Sequence, residues 1–311
     1  VNGKKLQRQY KKNLSNFYTW EQREHANEWL IFPENIGSHL SIDEVNLSMG
    51  ELYTVVTNKA GKGKKGSIVA IIAGTKAEVV IIHLQKIDFK KRNQVTEITL
   101  DMANSMKLIA KKSFPKAKQV TDRFHVQKLA LEAVQEVRIR LKWDALDQEN
   151  SAVTKSKLNK TPFISREFSN GDTAKQLLTR SRFLLYKSPN KWSDSQKERA
   201  TILFEEYPEI KTVYYLSQKL RNIYNNNTDK TVAITKLAHW YNDVENFGIK
   251  SFNTIMNTVK INYDSILNYF DKRSTNASAE SFNAKIKAFR NQFRGVRKVE
   301  FFLFRLTKLF A

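Results

Sequence analysis

The chain contains no cysteine, which excludes disulfides, cysteine-ligated zinc and thiol nucleophiles within it and suits a reducing cytoplasm. Five prolines and ten glycines in 311 residues are too few for a disordered or fibrous chain. Long apolar runs are missing too. The best of them, "SIVAIIAG", is far too short to cross a bilayer, and no signal-peptide pattern opens the chain. Acidic residues are the remaining shortage: 31 Asp and Glu stand against 53 Lys and Arg, for a formal charge of +22. The basic excess is spread along most of the length. Charge of this size repels itself and suits a polyphosphate partner, because cationic side chains displace condensed counterions from nucleic acid. The chain opens at Val1 rather than Met, so a preceding segment is expected.

What is present is enough for a substantial core, with 41% hydrophobic and 11% aromatic residues. Residues 1–38, including "NFYTWEQREHANEWLIF", are predicted helical, ending near Pro33 and Gly37. Three strand patterns follow, "SHLSIDEV", "ELYTVVTN" and "SIVAIIAG", rich in β-branched residues and separated by turn residues. "KAEVVIIHLQKI" reads as a helix, "QVTEITLD" as a fourth strand and "MANSMKLIAKKSF" as a helix closed by Pro115. A short fifth strand, "AKQVTD", leads into the helix "HVQKLALEAVQEVRIRLKW". Three meandering strands and then alternating units predict an α/β, ribonuclease-H-like mixed sheet flanked by helices. From 144 to 272 strand signals fade and apolar residues recur at helical spacing, predicting a large all-α insertion. The expected organisation is a helical segment at 1–38, a core at 39–143, the insertion at 144–272, and helices at 273–311 that complete the core.

Three acids stand out. Asp43 lies in the apolar strand "SIDEV", where a buried carboxylate is costly unless it meets a cation or hydrogen-bond donors; its ordinary reading is an exposed strand acid. Asp101 ends the fourth strand, and its ordinary reading is a helix N-cap. In the predicted topology the first and fourth strands are neighbours, so Asp43 and Asp101 meet. Adjacent carboxylates repel unless a divalent cation lies between them, and all-oxygen ligation suits Mg²⁺ or Mn²⁺. Glu280 heads the helix in "TNASAESFNAKIKAFR", which Phe282, Ile286 and Phe289 hold against a core. It starts a line with Ala284, Lys287, Asn291 and Arg294, although a first-turn glutamate also has an ordinary explanation in the helix dipole. Three such carboxylates suit a two-metal site for phosphoryl transfer. "GKGKKG" matches G-x-G-x-x-G, but a strand follows it instead of a helix, so it is a basic hairpin loop.

The run "SIDEV", "LDMANSM", "FPKAKQVTDRFHVQKL", "NASAESFNAKIKAFR", "RGVRK" and "FFLFRL", in this order, resembles the transposases of the ISL-three insertion-sequence family, particularly a Bacteroidetes branch. The resemblance covers roughly 40–140 and 270–311. It implies an Asp-Asp-Glu transposase that cleaves DNA and transfers strands with Mg²⁺ or Mn²⁺, acts on transposon ends and target DNA, and assembles as a homo-oligomer on them. Asp43 takes the first acidic position and Glu280 the last. The middle position is open between Asp101, favoured by topology, and Asp122; in the first case Asp122 and His125 form the supporting Asp-x-x-His signature. Implied DNA contacts are Arg123, Lys128, Lys287, Arg290, Arg294 and Arg297. Trp192 and Trp240 are implied base-stacking residues, against an ordinary reading as core tryptophans. The family usually carries an N-terminal zinc-binding, helix-turn-helix region, which this chain lacks, so end recognition is expected in a separate region. The rival expectations are a DNA-binding derivative without catalysis and a ribonuclease-H-like nuclease that does not join strands.

Overall fold

A computed structural model describes residues 3–47, 51–292 and 298–311. The chain divides into two units, Val1–Asp122 with Asp264–Ala311, and Arg123–Tyr263.

The first unit is built on a six-stranded sheet: β1 (Trp29–Ile31), β2 (His39–Asn46), β3 (Leu52–Asn58), β4 (Ile68–Ala73), β5 (Glu97–Leu100) and β6 (Lys118–Thr121). The strand order is β1-β4-β3-β2-β5-β6. β2, β3 and β4 form an antiparallel meander, and β5 and β6 add parallel to β2 and to each other. Leaving β1 aside, this is the ribonuclease-H-like arrangement, and the α/β fold predicted from the strand order is the one observed.

α1 (Gly3–Gln9) precedes the sheet, and α2 (Ala77–Leu84), α3 (Phe89–Arg92) and α4 (Asn104–Ser113) connect β4, β5 and β6. β4, "IVAIIA", is apolar without alternation because both its faces are covered. On one face Leu40, Ile42, Ile98 and Leu100 pack with Val80 and Leu84 of α2 and Met106 and Ile109 of α4. On the other, Val45, Val55 and Ile71 meet α13 (Ala277–Gln292) and α14 (Val299–Phe310) through Phe282, Ile286, Phe302 and Leu303. Burying Phe282 at 1% exposure is worth about 3–5 kcal/mol by the cost of truncating such a side chain. That anchorage fixes where the first turn of α13 stands.

The N-terminal segment departs from expectation. It contains α1, but "WLI" is a strand paired antiparallel to β4, with Trp29 opposite Ile72. An apolar β4 without a neighbour would present an open edge, and a three-residue strand stopped by Pro33 covers it.

The second unit is helical: α5 (Arg123–Leu158), α6 (Ala174–Arg180), α7 (Asp194–Glu206), α8 (Pro208–Asn226), α9 (Lys230–Phe247) and α10 (Lys250–Ile261). Two short helices, α11 (Tyr263–Leu267) and α12 (Tyr269–Lys272), lead to α13. The predicted boundaries, 143/144 and 272/273, differ from the observed 122/123 and 263/264. No proline or glycine interrupts the chain between Pro115 and Leu158, so α5 runs on for 36 residues and carries its first turns into the helical unit. Asp172, wholly buried in this unit, is held by Arg180 and by Arg199 at 2.9 Å. Among the described residues no helix is long and apolar enough to cross a membrane.

Candidate active site

Side chains alternate across a strand. Since Leu40 and Ile42 face α2 and α4 while Val45 faces α13 and α14, Asp43 points to the α13 side and Glu44 to the opposite one. Ser41 pairs with Thr99 as the last β2–β5 position, so Asp43 and Asp101 stand two residues further along neighbouring strands. Leu100 pairs with Thr121, which makes Asp101 and Asp122 the next pair, and the Asp122 N–H still donates to Leu100 O at 3.0 Å. Three aspartates therefore form a row across neighbouring parallel strands, Asp43 within β2 and Asp101 and Asp122 just past the ends of β5 and β6. Partial desolvation of the exposed Glu44 pushes its carboxyl above the usual range, and the charges of Asp101 and Asp43 push it the same way.

Each acid is held differently. Asp43 Oδ2 accepts from Asn283 Nδ2 at 2.6 Å, and its Oδ1 accepts from the Glu44 N–H at 2.8 Å. Asp101 Oδ1 accepts from the Ala103 N–H at 2.9 Å. That is an Asx turn leading into α4, whose N-cap position is Ala103 rather than the expected Asp101. Asp122 is 1% exposed, and its carboxylate lies within 4.8 Å of that of Glu280, in the first turn of α13. Asn283 is three residues beyond Glu280, so one helix supplies both an acid and the donor that orients Asp43.

A half-buried cation accompanies the acids. Lys59 Nζ lies 3.5 Å from Glu97 Oε1 and also donates to Thr99 Oγ1. Burial pushes its ammonium group down, while Glu97 and the charge of Asp122 oppose that. Nothing in the sequence distinguished Lys59 from other loop lysines. Asn283 carried one faint signal, its position one helical turn after Glu280.

The remaining predicted residues are placed as follows. Lys287 is exposed on α13. Arg290, expected at a phosphate, is 9% exposed and ion-paired to both oxygens of Glu51 at 3.0 and 3.2 Å, because the apolar stripe turns it toward the sheet. Lys128 pairs with Glu132 one turn on at 3.7 Å, and Arg123 donates to Asn225 at 3.3 Å. His125 is half-buried on the first turn of α5 and belongs to the helical unit. Trp240 is fully buried with its indole N–H donating to Leu216 O at 3.0 Å. Trp192 stacks on Tyr214 and donates to Leu184 O at 2.8 Å. Trp240 is a core residue of the helical unit instead of the implied stacking platform, whereas Trp192 is half-buried. Arg294 and Arg297 lie outside the described residues.

A family model of transposases, the DDE type of the ISL3 group, matches residues 40–306. The transposase for insertion sequence element IS1001 of Bordetella parapertussis is 24% identical over 276 residues, which is 88% of this chain. The chain spans 61% of that protein's length.

Proposed function

Since the chain belongs to the ISL3 family of DDE transposases, we propose that it cleaves DNA at the ends of an insertion sequence and joins the freed ends to target DNA, using Asp43, Asp101 and Glu280. The observation that carries this reading is the row of aspartates on neighbouring parallel strands, with Glu280 of α13 within 4.8 Å of the Asp122 carboxylate.

The donor set fits hard divalent ions. The donors of Asp43, Asp101 and Glu280 are carboxylate oxygens, and Asn283 Oδ1, on the amide that orients Asp43, is buried with no hydrogen-bond partner. Asp43, Asp101 and Glu280 would hold Mg²⁺ or Mn²⁺, which as a pair supply an activated nucleophile and charge stabilisation at the leaving oxygen. We assign the middle position to Asp101 because it keeps solvent access, as Asp43 and Glu280 do, and a DNA phosphate must reach the centre. Asp122, whose carboxylate lies within 4.8 Å of that of Glu280, is the alternative middle acid, with His125 one turn further along the chain.

The residues of the chain then act by position. Asn283 turns Asp43, the core contacts of Phe282 and Ile286 hold Glu280 over the strand ends, and exposed Lys287 meets the DNA backbone. In cleavage, water oxygen bonds to phosphorus and the 3′ oxygen leaves, giving a 3′-hydroxyl and a 5′-phosphate. In joining, that hydroxyl attacks a target phosphate and displaces the target's own 3′ oxygen. Joining exchanges one phosphodiester for another, so it needs no nucleotide cofactor. Two ends must be held together, which calls for a homo-oligomer on DNA, with end recognition in a further region.

The test supplies Mn²⁺ and end-sequence DNA and scores nicking and joining, with Asp43→Ala and Glu280→Ala expected to lose both while retaining DNA affinity. Binding without cleavage by the unaltered chain would instead mark a non-catalytic derivative, and cleavage without joining a nuclease.

A further inference from the structure

Every buried residue of α5 lies between Val126 and Arg138. Residues 139–158 continue the helix for about 30 Å with no buried side chain. One side of this arm is partly covered: Glu149 Oε1 accepts from Ser165 Oγ at 3.4 Å, and Ala145 and Ala152 line a cleft with Phe163. The apolar residues follow a different line. Ile139, Trp143, Leu146, Asn150, Val153 and Lys157 recur at alternating steps of four and three, the spacing of a coiled-coil seam. That seam lies about a third of a turn round the helix from the covered side. Ile139 is 44% and Trp143 58% exposed, and Leu146 and Val153 are half-buried.

Charge decides what fits the seam. Residues 139–158 carry four basic and three acidic residues in a chain of net charge +22, so the arm is no part of a basic track for DNA. It is instead complementary to itself. When two arms run parallel and in register, each seam residue meets its own copy. Lys142, just before Trp143, then reaches Asp147 of the second copy, just after Leu146, and symmetry makes this contact twice. Lys142 and Asp147 have no ion-pair partner among the described residues, whereas neighbouring Arg140 is engaged by Glu209 and Asp144. Asn150 meets Asn150, a polar pair that fixes register. Antiparallel arms with Leu146 against Asn150 would oppose Asp147 to Asp147 and Glu149 to Glu149, and such like-charge contacts disfavour them.

We propose that residues 139–158 of α5 pair with the same residues of a second copy of the chain as a short, parallel, two-stranded coiled coil. Pairing covers the one apolar stripe of the arm and uses its two unpaired charges. It requires no DNA.

Cross-linking of the full chain tests this, because with no native cysteine a single introduced thiol can meet only its own copy. Asn150→Cys is expected to give a disulfide-linked dimer in a glutathione redox buffer, since an in-register parallel pair brings these positions within disulfide reach. Ser151→Cys, exposed and one position off the seam, is expected to stay monomeric. Sedimentation equilibrium of the cysteine-free chain gives a second readout. Trp143→Glu is expected to abolish self-association. Lys142→Asp should weaken it about tenfold by turning two attractive contacts repulsive, and adding Asp147→Lys should restore it, which also controls for folding. Equal cross-linking through positions 150 and 151, cross-linking through neither, or association untouched by Trp143→Glu overturns the proposal. No DNA is present in either measurement, so their outcome is separate from that of the cleavage test.

Discussion

Replacing Asn283 with alanine removes the side chain that orients Asp43. The bond is short, 2.6 Å, and its acceptor is a carboxylate, so it belongs to the class contributing about 1.5–3 kcal/mol. With 1.4 kcal/mol to each factor of ten, the loss corresponds to a fall of about 10–100-fold in metal affinity or cleavage rate, the range found when a ligand loses its orienting partner. Stability should move far less. Asn283 is 8% exposed, and the unpartnered Oδ1 disappears with the donor, so one penalty offsets the other. Asn283→Asp is the complementary change: it sets a second negative charge against Asp43 and should raise the Mn²⁺ requirement differently from alanine, because the added carboxylate can itself bind the ion. The assay is nicking of end-sequence DNA across a Mn²⁺ titration, with thermal denaturation alongside. Nicking by Asn283→Ala at the unaltered rate and the same Mn²⁺ midpoint would refute the idea that this contact positions a metal-holding acid.

Asp101→Asn is expected to abolish nicking with DNA affinity retained, while Asp122→Asn lowers it about 10–100-fold, as loss of a supporting group does; the reverse ranking exchanges their roles. Asp172→Asn should destabilise the helical unit by about 1.5–3 kcal/mol, because Arg199 and the half-exposed Arg180 lose a charged hydrogen-bond acceptor, and urea denaturation reads this directly. Burial pushes the Asp172 carboxyl up, but hydrogen bonds from Arg199 and Arg180 more than reverse this, so its folded value is depressed. Its stabilisation is therefore complete above the ordinary aspartate value of about 3.9 and is lost as pH falls below it, an acid limb that Asp172→Asn should remove from a pH titration of stability. Phe282→Ala should cost about 3–5 kcal/mol and reduce nicking with it, since Glu280 rides on the same helix; full activity in a folded variant would separate the two.

Much of the site-bearing unit is legible in the sequence. β2, β3 and β4 announce themselves through β-branched runs between turn residues, and the first turn of α13 places Glu280 where the sequence predicted it. Other features are not. Trp29–Ile31 carries too few residues for a period and becomes a strand only because β4 offers an edge. Arg290 has the composition of a phosphate contact, and its partner Glu51 lies far away in sequence. Trp240 resembles a stacking residue until the helices that enclose it are in place.

The amino-acid sequence by itself determined the basic character, the absence of thiol chemistry, the sheet meander and the acids at strand and helix ends, because each follows from composition or from patterns spanning a few turns. Tertiary structure alone decided that Asn283 holds Asp43 across 240 residues, that Lys59 lies half-buried beside Glu97 and Thr99, and that Asp122 is buried within 4.8 Å of Glu280 while Asp101 stays accessible. The physical reason is common to all three. Local pattern dictates which way a side chain points from its own element, whereas the group it meets depends on packing between elements whose separation in sequence carries no signal.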